Sequence, residues 1–288
     1  MIEINQDILK NAFKERSIDV KKYDFGLLMV IGGSEFYSGS PALSSLAAFR
    51  VGIDMVRIIA PKRAADIIAS FSPDLAAYPL KGDWLEQKHL STLLAMTESA
   101  KAAARGNTAV VIGGGAGRSE ETQKTILDYL SKVSVPVVID ADAIHALAKD
   151  PSVASGKPFL ITPHSYEFCL LTKKEVSQMP EEERIKVVQA EAASLCTTIL
   201  LKGKTDIASD GKEVAVNRAG SPYMTVGGTG DTLAGIAGTL LAWGVSPFEA
   251  AQAAAFINGK AGEIVAKKLR EGMTATDLIE AIPQVLQQ

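Results

Sequence analysis

Again and again along this chain a short apolar run breaks off at a glycine-rich or polar turn, and a helical stretch follows. Phe25–Ile31 (FGLLMVI) stops at Gly32-Gly33-Ser34, and Thr108–Ile112 (TAVVI) stops at Gly113-Gly114-Gly115. Pro136–Ile139 ends in Asp140-Ala141-Asp142, Pro158–Ile161 in Thr162-Pro163-His164, and Thr198–Leu201 in Lys202-Gly203-Lys204. Apolar runs this short, bounded by turns, read as strands buried on both faces. Strands that alternate with helices build a mainly parallel sheet with helices on both faces, so the pattern predicts an α/β three-layer fold. A strand at Asp54–Ala60 and helices at Ala42–Val51, Ala64–Ser70, Leu85–Ala104 and Glu181–Leu195 fit the same plan. So do helices near Asp231–Trp243, Pro247–Lys268 and Thr274–Leu286. Ile207–Ser209 and Glu213–Val216 read as a hairpin through Asp210-Gly211, and Gln6–Arg16 as a short amphipathic lead-in within residues 1–20.

The composition agrees. A hydrophobic share of 47% with only 6% aromatic gives an aliphatic, alanine-rich core, and 288 residues without a linker or repeat suit one domain over 1–288. A formal net charge of -3 with no basic stripe argues against nucleic acid or a membrane surface as partner. Cys169 and Cys196 show no pairing pattern, the N-terminus MIEINQD lacks a signal-peptide core, and Thr232–Phe248 falls short of a bilayer span. The expectation is a soluble, cytoplasmic protein.

Every segment with chemical potential lies at the C-terminal end of an expected strand or opens the next helix, the edge where open α/β sheets bind ligands. Gly227-Gly228-Thr229-Gly230-Asp231 carries the most. A helix starting at about Asp231 leaves the amides of Gly228, Thr229 and Gly230 as an anion hole, with the helix dipole behind them. A carboxylate is a poor anion binder there, but it suits a base that takes a proton from a hydroxyl while the amides hold phosphoryl charge. The competing reading of Asp231 is a simple N-cap. Gly113–Gly117 departs from the dinucleotide fingerprint and reads as a phosphate turn or an ordinary βα turn. Lys202 either meets a nucleotide phosphate or snorkels at a strand end. Asp140 and Asp142, two apart in an extended segment, can share a face and a pocket, or Asp142 can cap the helix that follows. His164 is a ligand contact or a satisfied loop residue. Glu167 reaches a Mg²⁺ through water or sits in the first turn of its helix. No zinc pattern and no serine-hydrolase elbow occurs in the sequence.

Taken together, six segments resemble the ADP/ATP-dependent NAD(P)H-hydrate dehydratase family of the ribokinase-like fold, over about Lys22 to Gly262. They are Val30–Ser34 with Tyr37–Pro41, Gly113–Gly117, Asp140–Ala143, Thr162-Pro163-His164 with Glu167, Leu201-Lys202-Gly203, and Gly227–Gly235. The resemblance implies repair of NADHX and NADPHX, whose ring hydroxyl is phosphorylated by ADP or ATP and then eliminated as phosphate, with Mg²⁺ as cofactor. It implies Asp231 as base, Gly230 at the nucleotide phosphates, and Lys202, Gly203, Lys204, Thr205 and Asp206 along the nucleotide site. Ser40, Gly115, His164 and Asp231 would contact the hydrated dinucleotide, and a homo-oligomer, up to a tetramer, is expected. Ser40 stands where the family usually has alanine, Gly114 and Ala116 where it has proline and leucine, and Asn258 where a histidine is common. At this length no room is expected for the epimerase domain fused in many relatives. Two other functions share the Gly-Thr-Gly-Asp turn. One is a vitamin-precursor kinase of the same fold, acting on hydroxymethylpyrimidine, hydroxyethylthiazole or pyridoxal, which tends to carry asparagine where this chain has His164. The other is a nucleotide sensor without turnover.

Overall fold

Strand β1 (Ile2–Glu3) and helix α1 (Asp7–Ala12) lead into β2 (Leu27–Ile31), α2 (Gly39–Val51), β3 (Met55–Pro61), α3 (Lys62–Phe71) and β4 (Ala76–Leu80). After a 3₁₀ turn at Gln87–His89 come α4 (Leu90–Ala103), β5 (Thr108–Ile112), α5 (Glu120–Lys132), β6 (Val137–Ile139), α6 (Asp142–Leu147), β7 (Phe159–Ile161) and α7 (Ser165–Thr172). The chain ends with α8 (Glu181–Leu195), β8 (Thr198–Leu201), β9 (Asp206–Ser209), β10 (Val214–Asn217), α9 (Thr229–Ala242), α10 (Pro247–Leu269) and α11 (Ala275–Leu286). This computed structural model describes residues 1–13 and 16–287; part of the expected Gln6–Arg16 helix lies outside the described residues.

The ten strands among the described residues form one sheet in the order β1-β10-β9-β8-β7-β6-β5-β2-β3-β4. From β4 to β8 neighbouring strands are parallel, β9 runs antiparallel to both its neighbours, and β1 returns parallel to β10. The expected sheet with helices on both faces is therefore present. Side chains alternate across it as strand geometry requires. Leu28 and Val30 of β2 pack into a cluster with α2, α9, α10 and α11, while Leu27, Met29 and Ile31 face a second cluster with α4, α5 and α6. Both faces being covered is why the strands read as unbroken apolar runs.

The chain builds outward from β2 through β3 to β4, then crosses back to β5 on the other side of β2 and continues to β8. That reversal leaves a crevice between the ends of β2 and β5, the preferred ligand position in such sheets. Here the Gly33 amide donates to the Gly114 carbonyl (2.8 Å), so the two glycine turns are tied together across it.

Three expectations need correction. The helix over Leu85–Ala104 is split, because His89 folds back: its Nδ1 accepts from the Glu86 amide (3.1 Å) and its Nε2 lies 3.1 Å from the Lys81 carbonyl. The α-helix proper starts at Leu90. Helix α2 begins at Gly39 rather than Ala42, putting Ser40 in its first turn. Strands β1 and β4 were not expected; β4 is an edge strand of largely exposed residues.

Candidate active site

Helix α9 starts two residues earlier than the sequence suggests, at Thr229, with Gly228 as its N-cap in a left-handed conformation (φ 99°). Asp231 therefore sits in the first turn, not before it. Among the described residues no acceptor meets the N–H groups of Gly228, Thr229 or Gly230, and Gly228 makes no side-chain cap. The cap alternative for Asp231 is thus absent, and the amides remain available as an anion hole. The turn is held from below. The Thr229 hydroxyl donates to the Met224 and Val226 carbonyls (2.9 and 3.2 Å). Asn258, buried in α10, donates from Nδ2 to the Thr229 carbonyl (3.2 Å) and accepts from the Thr232 hydroxyl (2.7 Å). Asn258 stands out in the sequence only for replacing an expected histidine; its part in fixing this turn depends on helix packing that no local motif encodes.

Asp231 lies at the crevice between β2 and β5. A Cβ placed on Gly114 would come within 3.0 Å of Asp231 Oδ1 and 2.9 Å of Ser40 Cβ. Ser40 and Gly114 thus face each other beside the carboxylate. The next residue, Gly115, has φ +64°, and a Cβ there would sit 2.7 Å from Tyr37 Cβ, so the β2 and β5 turns meet at glycine separation. Burial raises the Asp231 pKa to about 7, and the nearby Asp140 charge adds to the rise; the Ser40 hydroxyl and Lys202 oppose it.

Lys202, at the end of β8, reaches back to the same place. Its Nζ donates to Asp140 Oδ1 (2.8 Å), which also accepts from the Thr162 hydroxyl (2.7 Å). Burial pulls the Lys202 pKa down, but Asp140, Glu167 and Asp231 outweigh it and hold it above its ordinary value. A Cβ on Gly230 would be 3.5 Å from Lys202 Nζ, so the cation stands against the open amides of α9. The ends of β6, β7 and β8 supply Asp140, Thr162 and Lys202. Parallel strand order brings them together over gaps that sequence spacing does not reveal.

His164 is the N-cap of α7. Its Nδ1 accepts from the Glu167 amide (3.3 Å), while Glu167 Oε2 accepts from the His164 amide (2.9 Å), a reciprocal capping box. Burial, helped by Lys202, keeps the His164 pKa low, and burial raises that of Glu167 against the pull of Lys202. Glu167 lies in the first turn of α7, as one of its two readings had it, and its Oε2 is 4.0 Å from Lys202 Nζ.

The Asp140–Asp142 expectation is overturned. Ala141 has φ 48° and ψ −123°, so the segment is not extended and the two carboxylates diverge. Asp140 enters the cluster. Asp142 turns to the β5 loop, accepting from the Gly117 amide (2.9 Å) and from Arg118 Nε (2.6 Å), and it is the first residue of α6, not its cap. Gly113 makes this crossing possible: at φ +126° its Cβ would fall 1.9 Å from the Asp140 carbonyl.

The segment from Lys202 to Asp206 forms a tight turn in which residues differ in kind. Asp206, its pKa raised by burial, accepts from the Gly203 amide (3.0 Å) and from Asn217 Nδ2 (3.0 Å). The Thr205 hydroxyl is committed to Glu181 (2.8 Å), while Gly203 and Lys204 are exposed. The structure thus brings Ser40, Gly114, Gly115, Asp140, Lys202, Gly230 and Asp231 together, with His164 and Glu167 beside them. It gives Thr205 and Asp206 the work of shaping the turn.

A profile of the NAD(P)H-hydrate dehydratase family matches residues 28–284. The chain belongs to this family. It is 44% identical over 275 residues to the bifunctional NAD(P)H-hydrate repair enzyme Nnr of Pyrobaculum aerophilum, covering 95% of this chain and 53% of that one. The chain thus spans about half the length of the first curated relatives it matches. It is also 37% identical to the ADP-dependent (S)-NAD(P)H-hydrate dehydratase of Cenarchaeum symbiosum, over 98% of this chain and 96% of that one. Among solved structures it resembles ADP/ATP-dependent NAD(P)H-hydrate dehydratase from Bacillus subtilis, co-crystallized with ATP/Mg²⁺, with a TM-score of 0.84 at 25% identity. The alignment covers 99% of this chain and 98% of that one, and the family's ribokinase-like fold is the fold seen here. No helix among the described residues is long and apolar enough to cross a membrane.

Proposed function

We propose that the protein repairs hydrated NAD(P)H, converting NADHX or NADPHX to NADH or NADPH with ADP, or ATP, as phosphoryl donor. The observation that carries this reading is Asp231, with a pKa raised to about 7, beside the unpaired amides that open α9. A base with a pKa near the working pH is present in the right form and still strong enough to take a proton.

In this account the ring hydroxyl of the substrate lies against Asp231, and Ser40 and the Gly114–Gly115 turn shape its pocket. The donor's terminal phosphate lies over the Gly228, Thr229 and Gly230 amides with Lys202 at its side. Asp231 accepts the hydroxyl proton as the oxygen attacks phosphorus, and the nucleotide leaves one phosphate shorter. The amides and Lys202 hold the charge on the equatorial oxygens. The ring nitrogen's lone pair then expels phosphate, the neighbouring ring carbon gives up a proton, and the reduced ring is restored. Phosphate leaves far more readily than hydroxide, which is why a nucleotide is consumed.

Among the described residues no group of three His, Cys, Asp or Glu side chains is placed to cage a metal. Mg²⁺ keeps most of its waters and would come with nucleotide phosphates, and Glu167 would hold it through water. Mg²⁺ would supply neutralising charge on those phosphates.

The test mixes the protein with NADHX, Mg²⁺ and ADP or ATP and follows the absorbance of reduced nicotinamide. Recovery that depends on the nucleotide is expected. Phosphorylation of hydroxymethylpyrimidine or pyridoxal with NADHX left untouched would replace this reading with the vitamin-kinase one.

A further inference from the structure

Asp231 and Lys202 each have a task in the reaction, but a second cation at the same sheet edge has none. Arg118 ends the β5 glycine turn with its side chain 57% exposed, and Asp142 holds it by Nε alone (2.6 Å). The other Asp142 oxygen accepts from the Gly117 amide, so the arginine is pinned to the backbone of the turn that faces Asp231. Held by Nε, a guanidinium turns its two terminal nitrogens outward, and among the described residues neither has a hydrogen-bond acceptor.

The charge balance around the crevice makes this arginine conspicuous. Asp140, Asp142, Glu167 and Asp231 face two cations, Lys202 and Arg118, and Lys202 is taken up by Asp140, with Glu167 4.0 Å away. A dinucleotide brings a pyrophosphate, and in its phosphorylated form a third phosphate, into this acidic surround. Arg118 also stands at a midpoint. Asp142, which positions it, opens α6 after β6, and β6 lies between β5, with the glycine turn, and β7, with His164. The Arg118 charge reaches His145 of α6 and Glu167 of the α7 capping box. Tyr166 is 65% exposed, its ring tilted against those of His145 (6.2 Å, 44°) and His164 (6.3 Å, 33°).

We propose that Arg118, set by Asp142, anchors a phosphate of the dinucleotide substrate, apart from the phosphates of the nucleotide donor. The assignment rests on the hydrate-repair reading for the identity of the ligand. Arginine forks match phosphate in a bidentate way that lysine does not, and such charge-assisted bonds are the strong ones.

The test titrates NADH and NADPH, by their own fluorescence, into wild type, Arg118→Ala and Arg118→Lys, and measures KM for NADHX and for ADP in parallel. Arg118 is on the surface and packs into no core cluster, so both variants fold. Arg118→Ala is expected to weaken dinucleotide binding and raise KM for NADHX by about 10-fold or more, with kcat within about threefold and KM for ADP unchanged; Arg118→Lys should recover part of the loss. Equal losses with NADH and NADPH assign the pyrophosphate, and a loss confined to NADPH assigns the phosphate on the ribose. Unchanged affinity for both, a rise in KM for ADP instead, or no dinucleotide binding by wild type overturns the proposal. Wild type that binds dinucleotide without turning over NADHX removes the repair reaction but leaves the anchor to be decided by the titration.

Discussion

Asp231→Asn will bind nucleotide as the wild type does and will lose turnover by about 10³-fold or more. The amide nitrogen and oxygen of asparagine fill the same space between Ser40, Gly114 and Lys202 but cannot accept the hydroxyl proton. The amides of Gly228, Thr229 and Gly230 and the Lys202 cation are untouched, so the donor still has its seat. A sensor without turnover would show no catalysis to lose. The variant should also be more resistant to denaturant at pH 8, which separates lost chemistry from lost fold. The sign follows from the shift. The folded pKa of about 7 lies above the 3.8 of a free aspartate, so the native state binds the extra proton between those values. Stability is greatest below the lower value and falls as pH rises through the upper one, by up to about 4 kcal/mol if the whole shift counts. Asparagine never ionises and escapes that loss. Equal turnover in the two proteins, measured by recovery of reduced nicotinamide, would remove Asp231 from the mechanism.

Gly235→Ala will destabilise the fold by about 3 kcal/mol or more. Glycine in mid-helix ordinarily costs about 1 kcal/mol relative to alanine, so propensity alone would favour the change. Packing decides against it. A Cβ at Gly235 would lie 2.0 Å from the Ser44 carbonyl oxygen and 2.8 Å from its carbon, and backbone cannot rotate away as a side chain can. Helices α2 and α9 must move apart. The same movement reaches the site, because Ser44 Oγ donates to the Asp231 carbonyl (2.9 Å) and α2 carries Ser40 in its first turn. Activity should therefore fall along with the denaturation midpoint. Gly272→Ala is the control: nothing lies within 4 Å of a Cβ there, and its midpoint should be unchanged. A Gly235→Ala protein within about 1 kcal/mol of wild type would mean that the two helices are not packed as closely as described.

How much of this was readable beforehand depends on where the information sits. Strands buried on both faces write themselves as unbroken apolar runs, so Thr108–Ile112 and Thr198–Leu201 are found to the residue. Edge strands do not. Ala76–Leu80 contains Pro79, has largely exposed residues and shows no period, and Ile2–Glu3 is a single pair held by β10. The open amides at the start of α9 were legible because glycines cluster where amides stay unpaired. The Lys202–Asp140 pair was not, since it spans 62 residues and needs the order of the parallel strands. Asp142 was misplaced because Ala141 adopts a backbone conformation that few residues other than glycine adopt, and no local rule assigns that to an alanine.

The most direct test of the account is the pH dependence of kcat/KM for NADHX in the wild-type protein. A base acts only when its proton is gone, so activity should rise with pH along a single limb with an apparent pKa of about 7 and then level off. A plateau that extends unchanged down to pH 5, as an ordinary solvated carboxylate would give, would contradict a buried, charge-crowded Asp231 as the group that takes the proton.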